Sequence, residues 1–430
     1  MKRAWPKWRP GLLATNTLWL TAGYGLRTLI QAVYFILIAR ALGAQGYGVF
    51  AGTVALATVL ASFSGWGAGF LLVKNVARQL KRFAAYWGRA LLLLGISGSV
   101  LVGIALALSA WLLQDRVPQS VVVAVAIADL LLAPLVAVCA QAFQAFQRLR
   151  DTALMLVLLA VCRLAAAGVM WLLVASPTAE HWAGFYVASS ACAATLCVAR
   201  VYRTLGGPRF AGIGARNERR EGFSFSLNTA AQRAGNEMDK AMLLKLGTLE
   251  AAGTYSAAFR LVEVASMPVA ALLAASYARF FQHGSHGLPA SLRFARQLLA
   301  PALGYTVLAG AGIYLVAPLL PAVLGADYAE AVDAARWLAI LPIPATLHAL
   351  VAHALAGAGR QHICTTIEIV SAATNVLLNI LWIPLYSYHG AVWAMLASRA
   401  FAAACAMCLA ATLAPTSLFS RHRSSATEQP

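Results

Sequence analysis

The Lys and Arg residues of this chain gather in alternate gaps between long apolar runs, an arrangement that leaves few folds open. The runs are 12–39, 46–73, 86–113, 119–146, 152–175, 181–203, 222–246, 252–281, 298–320, 329–357, 363–386 and 389–413. Each reaches the roughly 20 residues that a helix needs to cross hydrocarbon, where backbone groups find no water and must pair within the helix. Composition agrees, because 61% of the 430 residues are hydrophobic and 11% are charged, more apolar surface than a water-soluble core can hide. The reading is an all-α integral membrane protein with about 12 transmembrane helices.

Cytoplasmic loops retain Lys and Arg, so the charge pattern predicts orientation. One set of segments carries Lys2, Arg3, Lys7 and Arg9, then Lys74 to Arg89, Arg148 and Arg150, Arg200 to Arg220, Arg279 to Arg296, Arg360, and Arg421 with Arg423. The opposite set carries few cations, and Asp115, Glu180, Glu250, Asp327, Glu330 and Asp333 lie there. Both termini are therefore expected on the cytoplasmic side. The net charge of +18 is spread over short loops and forms no contiguous groove, which argues against a nucleic-acid partner and for anionic lipid headgroups. Trp5 and Trp8 beside Lys7 and Arg9 read as an interfacial anchor. All seven cysteines fall inside apolar runs as small fillers, and Cys405-x-x-Cys408 lacks the setting of a redox pair.

The polar, Gly-rich stretch near the middle divides the chain into a cytoplasmic anchor (1–11), a first six-helix lobe (12–203), a cytoplasmic connector (204–221), a second six-helix lobe (222–413) and a disordered cytoplasmic tail (414–430). Two echoes support duplication into pseudo-symmetric halves. Leu42-Gly43 with Gly48-Val49-Phe50 recurs as Leu246-Gly247 with Gly253-Thr254-Tyr255, and Gln144 to Arg150 recurs as Leu355 to Gln361. Parallel repeats of this kind pack as two lobes with access alternating between the two sides of the membrane.

The run from Ile38 to Phe50 resembles the first-loop signature of the polysaccharide-lipid flippases of the MOP exporter superfamily, the Wzx-type translocases. Further similarity lies at Gly65 to Val73, Gly253 to Leu261, and Leu324 to Ala331. The resemblance covers nearly the whole chain and implies a MATE-like, two-lobe carrier of undecaprenyl-pyrophosphate-linked oligosaccharide in the bacterial inner membrane. It also implies polysaccharide polymerase and chain-length partners, while two lobes in one chain suggest a monomer. O-antigen, capsule or exopolysaccharide assembly would be the setting.

Charges inside hydrocarbon cost at least about 2.5 kcal/mol each, so they usually face protein or a watery path. Beyond the charges assigned to the two membrane faces, six cations (Arg27, Arg163, Arg233, Lys240, Arg260, Arg399) and five acids (Asp129, Glu237, Asp239, Glu263, Glu368) fall inside the runs, a net of +1. Arg233, Asn236, Glu237 and Lys240 share one helical stripe, which fits either a self-neutralising ladder or a cavity wall, while Asp239 points away from it. Tyr24, Arg27, Gln31 and Tyr34 share another face, and Arg27 has no acid in its own run. Its partner is then either another helix or an anionic substrate such as pyrophosphate, to which Arg makes bidentate contacts. Arg163 and Arg399 also lack acids nearby in sequence. Asn375 and Asn379 could bind sugar hydroxyls or join helices. The candidate substrate-binding set is Arg27, Gln31, Arg163, Arg233, Asn236, Lys240, Arg399, Asn375 and Asn379; Glu237 and Asp239 are candidates for proton or sodium coupling.

Three other functions compete. A cation-drug exporter of the same superfamily would want a carboxylate-rich interior, and a lipid II flippase usually resembles a fourteen-span chain. A membrane glycosyltransferase or polymerase would need catalytic groups on a sizeable outward loop, and the outward loops here are short. No phosphate loop or nucleophile triad is visible, and His348 with His353 lacks further metal ligands, so neither enzyme activity, cofactor nor metal is expected.

Overall fold

The computed structural model describes residues 12–112, 116–210 and 216–413. The expected anchor, the tail, Asp115 and the middle of the connector lie outside the described residues. Among the described residues every regular element is helical: α1 (Leu12–Leu60), α2 (Ala68–Arg78), α3 (Phe83–Leu112), α4 (Gln119–Ile127), α5 (Ala133–Ala145), α6 (Leu149–Leu173), α7 (Ala179–Leu205), α8 (Arg216–Leu246), α9 (Leu249–Gly284), α10 (Leu288–Val316), α11 (Leu320–Leu324), α12 (Ala331–Leu338), α13 (Pro342–Gly357), α14 (Gln361–Tyr386) and α15 (Tyr388–Leu413).

Nine stretches among the described residues are long and apolar enough to cross a membrane, or ten if the bent pair Ala326–Leu338 and Pro342–Gly357 counts as one span. The sequence suggests about twelve, and the difference has physical causes. The first two expected spans fall largely in one run of 57 residues, Ala22–Arg78. At about 1.5 Å per residue that run is far longer than the hydrocarbon is thick and has the length for two crossings. Its helix α1 is kinked at Gly43, whose φ of 66° and ψ of 177° are open to glycine. The seventh expected span, in α8, carries Arg233, Glu237, Asp239 and Lys240 and is too polar to qualify.

Two expected spans are also interrupted. The run 46–73 breaks after Leu60 into a short 3-10 segment, Ala61–Gly67, in which Gly65, Trp66 and Gly67 all have positive φ. The run 119–146 contains a π-helical turn, Ala128–Leu132, between α4 and α5. Pro134 has no N–H to offer the carbonyl four residues back, that of Leu130, and Ser64 Oγ donates to this carbonyl at 2.6 Å. The Gly65 amide donates to Ser97 Oγ at 2.7 Å.

The helices form two compact units. One comprises the described residues up to Arg233 with Thr248–Gly253 and Val323–Gly325; the other comprises Ala234–Gly247, Thr254–Ala322 and the described residues from Ala326. The first unit buries Trp87, Phe143, Leu72 and Cys139 between α2, α3, α5 and α7. Its part of α8 is packed onto the broken segment and the start of α2: a Cβ at Gly222 would sit 2.3 Å from the Trp66 carbonyl oxygen, and Phe225 stacks on Phe70 at 4.7 Å. The second unit buries Phe280, Phe294 and Leu350 between α9, α10 and α13.

Within the first unit the two echoing glycine motifs meet. A Cβ on Gly48 would lie 1.9 Å from the Leu249 carbonyl oxygen, and one on Gly253 would lie 1.9 Å from that of Ala44. Backbone packed against backbone leaves no flexible group to yield, and overpacking a well-filled site costs about 1–3 kcal/mol or more. Gly48→Leu and Gly253→Leu are each expected to lower the thermal midpoint of the purified protein by several degrees or prevent its folding. Gly304→Leu, where an added Cβ meets nothing within 4 Å, is expected to stay close to wild type in the same thermal-shift series.

Candidate functional site

A cavity of about 450 Å³ opens inside the first unit, and the two helix interruptions form part of its wall through Ser62, Ser64, Gly65, Gly67 and Asp129. Irregular backbone at membrane depth is tolerated where it is buried in protein or lines a watery space. Arg27 from α1, Arg163 from α6 and Arg233 from α8 reach this cavity, and Asp129 is the one carboxylate in its described lining.

Asp129 is fully engaged. Arg163 Nη2 lies 3.0 Å from its Oδ1, and the Tyr186 hydroxyl donates to the same oxygen at 2.8 Å. The Arg163 guanidinium also sits 4.1 Å from the centre of the Tyr186 ring and approaches Ser190 Oγ at 3.3 Å. Arg163, which has no acid in its own run, thus takes one from 34 residues away. Arg27 forms no ion pair among the described residues. Arg233 donates to the Thr58 carbonyl at 3.2 Å. Gln31 is half-buried one turn beyond Arg27 and is not part of the described cavity wall.

The other candidates lie in the second unit, in three groups. Asp239 is fully buried and accepts from the Tyr255 hydroxyl at 2.6 Å and from Asn379 Nδ2 at 2.8 Å. Asn379 also donates to Asn375 Oδ1, and Asn375 donates to Ser398 Oγ. Both asparagines therefore join helices, linking α14 to α8 and α15. Lys240 pairs with Glu237 at 2.8 Å and approaches Glu263 at 3.9 Å, while Arg260 pairs with Glu263 at 2.7 Å. Arg399 binds Asn236 and the Gly235 carbonyl and lies 3.5 Å from Glu368, whose other oxygen is 3.7 Å from His348. The helical stripe on α8 separates Asp239 from Glu237 and Lys240, and these residues do enter different networks.

Gln141 and Ser226 also line the cavity, and nothing in the sequence marks them, Ser62, Tyr186 or Tyr255 as part of a site. Asp129 is visible there as an intramembrane acid, and Pro134 shortly after it is the available sign that the helix loses its regular ladder.

Residues 13–283 match the family described as polysaccharide biosynthesis protein. Among curated proteins no sequence matches the chain. Among solved structures, the fold is similar to that of a multidrug resistance MATE family transporter of the MOP superfamily in an inward-facing conformation, at 14% identity and a TM-score of 0.74, covering 91% of this chain and 96% of the other. The lipid II flippase MurJ in an inward closed conformation is similar at 10% identity and a TM-score of 0.68, covering 91% and 87%. A MOP superfamily transporter from Pyrococcus furiosus, described as having a binding pocket of reversed polarity, is similar at 12% identity and a TM-score of 0.61, covering 94% and 96%. At these identities the likeness is one of fold, and the all-helical architecture is that of MATE and MurJ.

Removing one member of a buried ion pair strands the other, whereas removing both does so less. Arg163→Leu and Asp129→Asn are each expected to lower the unfolding midpoint, and the double variant is expected to lose less than the two single losses together. A double-mutant cycle in detergent should give a coupling of about 1–3 kcal/mol.

Proposed function

We propose, since this chain belongs to the polysaccharide biosynthesis protein family, that it is a flippase for undecaprenyl-pyrophosphate-linked oligosaccharide, carrying it from the cytoplasmic to the periplasmic leaflet of a bacterial inner membrane by alternating access. O-antigen, capsule or exopolysaccharide assembly is the setting, with both termini cytoplasmic, polymerase and chain-length proteins as partners, and a monomer as the working unit. The observation that carries the reading is the charge of the cavity: three arginines against one carboxylate that is already paired.

Arg27 is the group we assign to the pyrophosphate, because no carboxylate among the described residues neutralises it. Guanidinium groups hold phosphate oxygens through paired N–H donors, and the polyprenyl tail can stay in lipid throughout. Arg163 and Arg233 would complete the anion-holding wall. Arg399, Asn236, Lys240, Asn375 and Asn379 are engaged with protein partners in the second unit and would act on substrate only after exchanging them. The drug-exporter reading wants the opposite polarity, an acidic cavity for a cationic cargo. A lipid II flippase would share the pyrophosphate chemistry and differ in the glycan.

For coupling, Asp239 and Glu237 remain the candidates. Asp239 is buried among neutral donors, where a gain or loss of a proton or the arrival of a sodium ion changes the local charge by a full unit.

In proteoliposomes carrying labelled undecaprenyl-pyrophosphate oligosaccharide, wild-type protein is expected to make the label accessible in the opposite leaflet. Arg27→Ala is expected to slow this at least about tenfold at unchanged protein abundance, with Arg27→Lys recovering part of the rate. Uptake of a cationic dye with no lipid movement would instead favour the exporter. Asp239→Asn is expected to remove the dependence of transport on an imposed proton or sodium gradient, measured in the same vesicles.

A further inference from the structure

The first half of α8 forms one side of the cavity. Phe225, Ser226, Thr229 and Arg233 all line it, and with Gly222 they fall on a single helical stripe. Polar ties hold this stretch near both of its ends. At one end Glu218 Oε1 accepts from the Tyr86 hydroxyl at 2.7 Å, and Oε2 accepts from Arg89 Nη1 at 2.6 Å, both partners being on α3. At the other, Arg233 donates to the Thr58 carbonyl. Glu218, Tyr86, Arg89 and Trp66 also bound one void of about 10 Å³, so the first tie lies directly against the broken segment 61–67. α3 is a firm post at this point, because Phe83, Trp87 and Ala90 are buried in the core of the first unit.

Between the ties little interlocks. A Cβ on Gly67 would lie 2.5 Å from the Gly222 carbonyl oxygen, and one on Gly222 would lie 2.3 Å from that of Trp66. The two glycines meet main chain to main chain, with no side chain to key one into the other. Phe63 with Phe223 at 6.1 Å and Phe70 with Phe225 at 4.7 Å add ring contacts. Arg216 to Glu221 are all charged or amide-bearing in sequence, so hydrocarbon does not hold this end of α8 either. Elements that open locally are those with few buried apolar contacts.

We propose that Arg216–Arg233 is a strap across the cavity and that Glu218 is its latch. With the carboxylate held by Tyr86 and Arg89, the strap lies on the segment 61–67 and Ser226 is buried. With the hold released, the strap parts at the glycine contact and the cavity opens along α8. Charge-assisted hydrogen bonds are roughly twice as strong as neutral ones, so one side chain sets the balance. The latch goes beyond the flippase reading, since it governs access to the cavity whatever the cargo.

The test introduces Ser226→Cys into the full-length protein in nanodiscs and follows, peptide by peptide by mass spectrometry, how fast a sulfonated methanethiosulfonate reacts at position 226. Adding Glu218→Gln or Arg89→Met is expected to speed that reaction at least about tenfold, because the rate follows the open population. The native Cys139, buried in the core of the same unit, is expected to keep its rate. Exchanging the charges, Arg89→Glu with Glu218→Arg, is expected to bring the reaction at 226 back to within about threefold of the parent. Where a thermal-shift measurement shows the cysteine variant unfolded, hydrogen exchange at the amides of 223–229, with those of α5 as reference, reads the same opening in the latch variants alone. A rate at 226 unmoved by loss of the latch, one that rises together with that of Cys139, or a charge swap as fast as the single variants overturns the strap. None of these results bears on the flippase reading.

Discussion

Backbone that leaves helical geometry inside hydrocarbon must find its hydrogen bonds elsewhere in the protein, and the first unit meets that requirement by tying its two irregular segments together. The Ser64 hydroxyl reaches the Leu130 carbonyl that Pro134 cannot serve, and the Gly65 amide reaches Ser97. The same π-helical turn carries Asp129, the acid that holds Arg163 and Tyr186. The cavity wall and its charge thus share one structural origin: interrupted helices whose loose ends are satisfied by each other and by neighbouring side chains.

The two units treat buried charge differently. In the first, Arg27, Arg163 and Arg233 face Asp129 alone within the described cavity lining. In the second, Lys240, Arg260 and Arg399 are set among Glu237, Glu263 and Glu368, with Asp239 held by neutral donors. Summed over the sequence, these groups nearly cancel. Their segregation produces a cationic cavity, and segregation is a property of three-dimensional packing.

Much of the architecture is legible in the sequence because its causes are local. Long apolar runs, glycines at turns and the kink at Gly43 follow from hydrocarbon thickness and backbone freedom. Helical spacing alone separates Asp239 from the Glu237 and Lys240 face. What stays hidden depends on contacts between distant residues. Arg163 and Arg399 look isolated along the chain, yet each meets an acid from another helix, Asp129 and Glu368. The breaks at Ala61–Gly67 and Ala128–Leu132 lie in runs as apolar as any other, so hydropathy passes over them. Ser62 and Ser226 are ordinary serines until packing sets them in the cavity wall.

The reciprocal contact between Gly48 and Gly253 constrains how such a chain can drift. Each glycine faces a carbonyl of the other motif, so the space it leaves is bounded by main chain, which no substitution can trim. A larger residue at one position cannot be compensated by a smaller one opposite, because the opposite group is already the smallest possible. The two sites are therefore locked separately, and each is held to glycine by main chain whatever side chains surround it.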